Sequence, residues 1–233
     1  MNNWTVDGVN HMFQQWFWYR VGNNPEASID TLALIKGGVT DTNFDGDNDT
    51  LYLKYGNDQA ATRYTVEVRI ALDGGSAGSR LSDIAEQITI KNTGSSSLDF
   101  HFFQYVDFDL GGDGAPNDTV QLVNANTVRQ SDPDWTVAET VDTPPADGFE
   151  LDFWAATRNK LNDGAATTLG NALGAGPVGP GDVTWAFQWD ETISVGGAFQ
   201  ISKDKNITLI PEPATLGLLL VGGLALLRRR RST

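Results

Sequence analysis

The chain has 233 residues, 30 of them acidic and 16 basic, for a formal net charge of −14, with two histidines and no cysteine. An acidic excess of this size repels phosphate backbones and anionic lipid, which argues against nucleic-acid binding and leaves divalent cations and neutral or cationic partners. Without cysteine there is no disulfide framework, thiol nucleophile or thiolate zinc site, and His11 and His101 alone cannot build a histidine metal cluster. Seven tryptophans and 10% aromatic residues are enough for a packed core, so a folded domain is expected rather than a disordered stalk.

Met1-Asn2-Asn3-Trp4 opens none of the parts of an export signal, which needs a basic start, an apolar core and a small-residue cleavage site. If the protein is exported, the expectation is a signal encoded upstream of Met1. His11 to Arg20 is aromatic on both faces. As a strand it puts Phe13, Gln15, Phe17 and Tyr19 on one side and Met12, Gln14, Trp16, Trp18 and Arg20 on the other. That pattern suits a strand covered on both sides, with an aromatic platform for sugars as the sharper alternative.

Between the strand-like stretches Thr31 to Lys36 and Thr50 to Tyr55 lies an acidic loop. Asp41, Asn43, Asp45 and Asp49 occupy positions 1, 3, 5 and 9 of an EF-hand-like loop, with Gly46 at position 6 and Asp47 beside it. Hard oxygen ligands at this spacing suit calcium. Tyr52 stands where the bidentate glutamate would be, and a polar turn around Asp45-Gly46 explains the same residues without a metal.

Arg63 to Leu72 alternates cleanly, with Tyr64, Val66, Val68, Ile70 and Leu72 on the apolar face. Ile84 to Lys91, Leu98 to Leu110, Thr119 to Val128, Phe149 to Ala155, Val183 to Trp189 and Ala198 to Leu209 read similarly. One short helix is expected within Asn159 to Leu169. On Leu98 to Leu110, the residues His101, Phe103, Tyr105, Asp107 and Asp109 share a face. Residues two apart on a strand sit about 6.5 to 7 Å from each other, a spacing at which paired carboxylates can do acid and base work on a glycosidic bond.

The tail differs from everything before it. Pro211-Glu212-Pro213 precedes an uncharged run from Ala214 to Leu227 with seven leucines, and Arg228, Arg229, Arg230 and Arg231 follow. Coiled as a helix, 14 residues rise about 21 Å, short of a hydrocarbon core of roughly 30 Å but within reach of local thinning and arginine snorkelling. The basic end sets the orientation, with Arg228 to Arg231 cytoplasmic and the rest of the chain outside. Motif, apolar run and basic terminus together resemble the PEP-CTERM sorting signal. The resemblance covers about a tenth of the chain. It implies recognition and cleavage by an exosortase, a membrane-embedded processing enzyme of Gram-negative bacteria that make exopolysaccharide.

The expected fold is all-β, an antiparallel β-sandwich of jelly-roll-like or similar connection over residues 1–208, with a single apolar helix inside a sorting signal at 209–233. The expected role is that of an exported, non-catalytic protein, held at the inner membrane in transit and delivered to the cell surface or the exopolysaccharide matrix of a biofilm. The alternatives are an extracellular carbohydrate-active enzyme using Asp107 or Asp109, and a sandwich anchored permanently by its tail. Without Glu212 and the four tail arginines, 29 acidic and 12 basic residues remain, a net charge of −17.

Overall fold

The structure is a computed structural model that describes residues 1–57 and 63–210. Its strands are β1 (Thr5–Val6), β2 (Val9–Asn10), β3 (Met12–Val21), β4 (Ala27–Ser28), β5 (Ala33–Thr40), β6 (Thr50–Asn57), β7 (Tyr64–Asp73) and β8 (Leu81–Asn92). They continue with β9 (Leu98–Phe108), β10 (Thr119–Asn124), β11 (Thr127–Ser131), β12 (Trp135–Thr143), β13 (Gly148–Phe153), β14 (Val183–Ile193) and β15 (Ala198–Leu209). Among the described residues one α-helix, α1 (Ala156–Lys160), interrupts the series.

Two antiparallel sheets stack face to face, as the period-two patterning requires of strands with one apolar face. The larger has eight strands in the order β10-β11-β12-β15-β8-β7-β6-β5, and the smaller has five in the order β13-β14-β9-β3-β4. The β1–β2 hairpin closes one end, where the indole of Trp4 donates to the Ser82 hydroxyl at 3.0 Å. The expected antiparallel sandwich is therefore present. Among the described residues no helix is long and apolar enough to cross a membrane. The sorting motif, the apolar run and the basic end all lie outside the described residues.

Between the sheets sits a core dominated by rings. Trp185, Trp189, Phe102, Phe108 and Phe187 are almost wholly buried, and Phe108 stacks on Trp185 with centroids 5.5 Å apart. β7 behaves as its alternation predicts, burying Tyr64, Val66 and Val68 against this core.

Several sequence expectations shift. A β-bulge between Met12 and Gln14 turns Met12 into the inter-sheet core and leaves Phe13 about half exposed. One extra residue on one strand reverses the facing of everything before it. The aromatic strand is thus covered on both sides, with Phe17 in the inter-sheet core and Trp18 in a second cluster on the outer face of the smaller sheet. Thr119 to Val128 is two strands, because the chain turns at 125–126 and β11 pairs back on β10. β12 is a strand beyond those expected from the sequence, with Trp135, Val137, Glu139 and Val141 alternating on one buried face. The glutamate in that alternation disguised it.

Glu139 belongs to an inter-sheet group of four charges. Glu86 on β8, Glu139 on β12, and Lys203 and Lys205 on β15 are all completely shielded from solvent in their side chains. Lys203 Nζ contacts both carboxylates, while Lys205 Nζ lies 3.1 Å from Glu86 and 3.2 Å from Glu139. Gln104 and the Trp185 indole add donors to Glu139, and Gln15 adds one to Glu86. Burial alone would raise Glu86, but the two lysines overcome it and hold the carboxyl at about 2. Two positive and two negative groups so placed neutralise each other.

Candidate functional site

On the opposite, outer face of the smaller sheet a second acidic group gathers with no such balance. Asp107 ends β9. Thr184 of β14 is its cross-strand partner, so the antiparallel register carries Asp182, just before β14, to the level of Asp109. The result is that oxygens of Asp107, Asp109 and Asp182 lie within 4.8 Å of one another. Asp107 is fully buried, and Asp109 and Asp182 are half-buried.

The Tyr105 hydroxyl donates to Asp107 Oδ2 at 3.1 Å, while Asp107 Oδ1 and Asp182 Oδ1 are shielded and have no hydrogen-bond partner. Burial, and then the charge of Asp182, push the Asp107 carboxyl up to about 7. Burial also raises Asp109 and Asp182, each with a neighbouring carboxylate adding to the effect. Carboxylates this close cannot all ionise without a proton or a cation among them.

The surroundings come from the segment after β13. Ala155 adopts φ 66°, a left-handed conformation that turns the chain sharply from strand into α1. That turn sets the Trp154 ring, about half exposed, under the Arg158 guanidinium, 5.1 Å from its centroid. Arg158 also donates to Gln14 Oε1 at 3.2 Å, and Gln14 is the β3 partner of Asp107. Phe153, next to Trp154, is likewise about half exposed. Three carboxylates, one guanidinium and the accessible Trp154 ring therefore meet at one end of β9 and β14, while Phe153 faces the other way with Leu151 and Val183.

No protein-family model matches the chain, and no curated protein matches its sequence. Solved structures do resemble it. A bacterial glucoamylase complexed with acarbose aligns with 94% of this chain at 11% identity and a TM-score of 0.61, and this chain spans 30% of its length. A galactose mutarotase-like protein from Lactobacillus casei aligns with 88% of this chain at 10% identity and a TM-score of 0.50, covering 90% of its own length. At such identities the likeness is one of fold.

The likeness overturns the expectation of a non-catalytic protein. The solved structures that share the fold include a glucoamylase and a galactose mutarotase-like protein, and that finding stands against the expectation.

The sequence pointed to Asp107 and Asp109 by their shared strand face. It missed Asp182, Trp154 and Arg158, which reach the site through the β9–β14 pairing and the Ala155 turn. The only signal for Asp182 was its place at the head of a clear strand after a Gly-Pro-Gly turn.

The acidic loop is elsewhere, at the tip of the β5–β6 hairpin. Asp41 accepts from the backbone N–H groups of Phe44 and Gly46 at 2.6 and 2.9 Å. Asp49 accepts from the Thr42 and Thr50 hydroxyls and from the amides of Thr42 and Asn43, and those bonds hold it down at about 2. Asp45 accepts from the Asn43 side chain and the Asp47 amide, both at 2.9 Å. Among the described residues, the grouping of three carboxylates suited to a cation is Asp107, Asp109 and Asp182 rather than Asp41, Asn43, Asp45, Asp47 and Asp49.

Proposed function

We propose that the protein is an exported carbohydrate-active enzyme that exchanges protons with the oxygens of a sugar's anomeric centre. The observation that carries this reading is the cluster of Asp107, Asp109 and Asp182 beside the accessible ring of Trp154. Aromatic faces stack on sugar rings, and a buried carboxyl near 7 can both give and recover a proton at neutral pH.

A carboxyl that holds its proton near neutrality beside two further carboxylates suits proton exchange between two oxygens on one carbon, the ring oxygen and the anomeric hydroxyl. In this scheme Asp107 is the proton reservoir behind, Tyr105 fixes its orientation, and the half-buried Asp109 and Asp182 face the sugar. Arg158 keeps the cluster from carrying its full negative charge.

The fold likeness supports this reading, since the neighbour matched over nearly its whole length is mutarotase-like. The test follows anomer interconversion by polarimetry, and reducing-end release, across a panel of free sugars and glycans. Asp107→Asn is expected to lower turnover by about 10²-fold or more while the far-ultraviolet circular dichroism is unchanged. Wild-type protein without turnover on the panel would refute the proposal.

The tail supplies the address in this reading. Pro211-Glu212-Pro213, the apolar run and Arg228 to Arg231 would route the enzyme through the inner membrane to an exosortase and on to the surface or polysaccharide matrix. Mass spectrometry of the C-terminus in surface material should then find an end near Pro211 to Pro213. An intact Arg231 there would remove the sorting proposal.

A further inference from the structure

The pairing of β9 with β14 ends at Asp107 and Thr184, so two of the three clustered carboxylates lie beyond it. Asp109 stands on the turn that leaves β9, and Asp182 on the segment that enters β14. Register brings the two to one level, but like charges repel, and no ladder bond holds them together there. Something else has to join the two loops.

We propose that Asp118 is the positioning residue of this site, clasping the turn that carries Asp109 with its side chain and the segment that carries Asp182 with its main chain. Asp118 is fully buried just before β10. Its Oδ2 accepts from the Leu110 amide at 3.2 Å, one residue after Asp109. Its carbonyl oxygen accepts from the Gly181 amide at 3.0 Å, one residue before Asp182. Each grip therefore closes next to a carboxylate of the cluster.

Both grips are braced. The Gln130 side-chain amide donates to Asp118 Oδ2 and, at 2.8 Å, to the Phe108 carbonyl, which ties the Asp118 carboxyl to the last residue of β9. From the other side, the Asp109 amide donates to the His11 carbonyl at 2.9 Å and the Gly111 amide to His11 Nδ1 at 3.1 Å. The second grip is extended by Val120 and Val178, which exchange backbone bonds of 2.8 and 2.9 Å and lay residues 175–181 along β10.

The sequence of that segment fits the close approach. Gly179 has φ 119°, and a Cβ there would stand 2.3 Å from the Asp118 carbonyl oxygen. At Gly176 a Cβ would stand 2.7 Å from the Val120 carbonyl oxygen. Only glycine lets the backbone lie this near its neighbour. The clasp reaches the aromatic side of the site as well, because the Trp154 amide donates to the Asp182 carbonyl at 2.8 Å.

The proposal rests on the reading of the Asp107 cluster as an active site, where a misplacement of about 1 Å can cost on the order of 10²-fold in rate. In the full-length protein Asp118→Ala removes the first grip and leaves the main-chain carbonyl, whereas Gly179→Ala strikes the second grip and carries the test should Asp118→Ala not fold. In each, kcat for anomer interconversion is expected to fall about 10- to 100-fold with KM within about twofold of wild type. Asp118→Asn, whose amide oxygen can accept as Oδ2 does, should keep most of the turnover. Amide hydrogen exchange supplies a readout that needs no turnover. Asp118→Ala should speed exchange at Leu110, Gly181 and Trp154 together, by about tenfold or more, and Gly179→Ala at Gly181 and Trp154, with the β7–β8 ladder unchanged in both. Faster exchange confined to Leu110 in Asp118→Ala, with Gly181 and Trp154 unmoved in either variant, would overturn the proposal. So would an active enzyme whose kcat neither variant lowers. Wild-type protein that turns over no sugar refutes the enzymatic reading alone, and the exchange pattern then decides whether Asp118 holds the cluster.

Discussion

Two of the buried acidic groups in the molecule are clusters, and the contrast between them separates structure from chemistry. Between the sheets, Glu86 and Glu139 meet Lys203 and Lys205, and every charge has an opposite partner. On the outer face, Asp107, Asp109 and Asp182 meet each other, with Arg158 held mainly by Gln14 and Trp154. The first group lowers its carboxylates and needs nothing from solvent. The second raises them, and it requires a proton or a bound group to be stable. Buried charge that is balanced specifies the fold, whereas buried charge left unbalanced is available to a ligand.

The strongest way to break the contrast is to unbalance the inner group. Lys203→Met leaves two buried carboxylates facing a single lysine and is expected to cost about 3 to 5 kcal/mol of unfolding free energy, read by urea denaturation. A fourfold apolar replacement of Glu86, Glu139, Lys203 and Lys205 should be far milder than the single change, since neutralised charges contribute little net stability. If Lys203→Met were harmless, the inner group would not be balanced as described.

The mirror experiment relieves the outer group. In Asp107→Asn the Tyr105 hydroxyl keeps an acceptor, and the new amide can donate to the neighbouring carboxylates. Stability should rise on the order of 2 kcal/mol at pH 8 while turnover falls. A gain in stability joined to a loss of activity is the mark of a site strained for function. A loss of both would make Asp107 a structural residue.

The two groups also have opposite signatures in pH. Asp107 lies near 7 in the folded state against 3.8 for an ordinary aspartate, so between these values the folded state holds the extra proton and stability falls as pH rises. Asp118, raised to about 7 by its own burial, falls in parallel, so the measurement is the difference between wild type and Asp107→Asn. That difference should grow from about pH 4 to about pH 7 and then level. Glu86, held near 2 against 4.5, works the other way. Its contribution is complete above 4.5 and is lost as pH falls toward 2.

The two groups were unequally legible in the sequence. The β7 alternation and the shared face of Tyr105, Asp107 and Asp109 could be read directly, because strand periodicity is local. Asp182 could not, since its approach depends on the pairing of β9 with β14, which no local pattern encodes. The inner group was hidden for a related reason. Glu86, Glu139 and Lys203 stand at core-facing positions where period-two reading expects apolar residues, and their compensation comes from three different strands. The bulge at Met12 was equally invisible, because one inserted residue leaves composition and periodicity almost unchanged while reversing the facing.

The smallest expected effect decides between the two acidic regions that a cation would choose. A cation specific to the folded state raises the melting temperature by mass action, by about 2.7 kcal/mol of stabilisation at a hundredfold excess over its dissociation constant. In the β5–β6 loop most carboxylate oxygens are already engaged by amides and hydroxyls, so a cation there must displace bonds the loop has made. In the outer cluster, Asp107 Oδ1 and Asp182 Oδ1 have no bond to displace, but the cation must expel the shared proton. Millimolar calcium is therefore expected to shift the melting temperature by a few degrees at most, and more at pH 8 than at pH 6. A shift abolished by Asp107→Asn and kept in Asp45→Asn assigns the ion to the outer cluster and makes it a competitor of the shared proton. The reverse pattern returns it to the Asp41, Asn43, Asp45, Asp47 and Asp49 loop, and leaves the outer cluster to proton transfer alone.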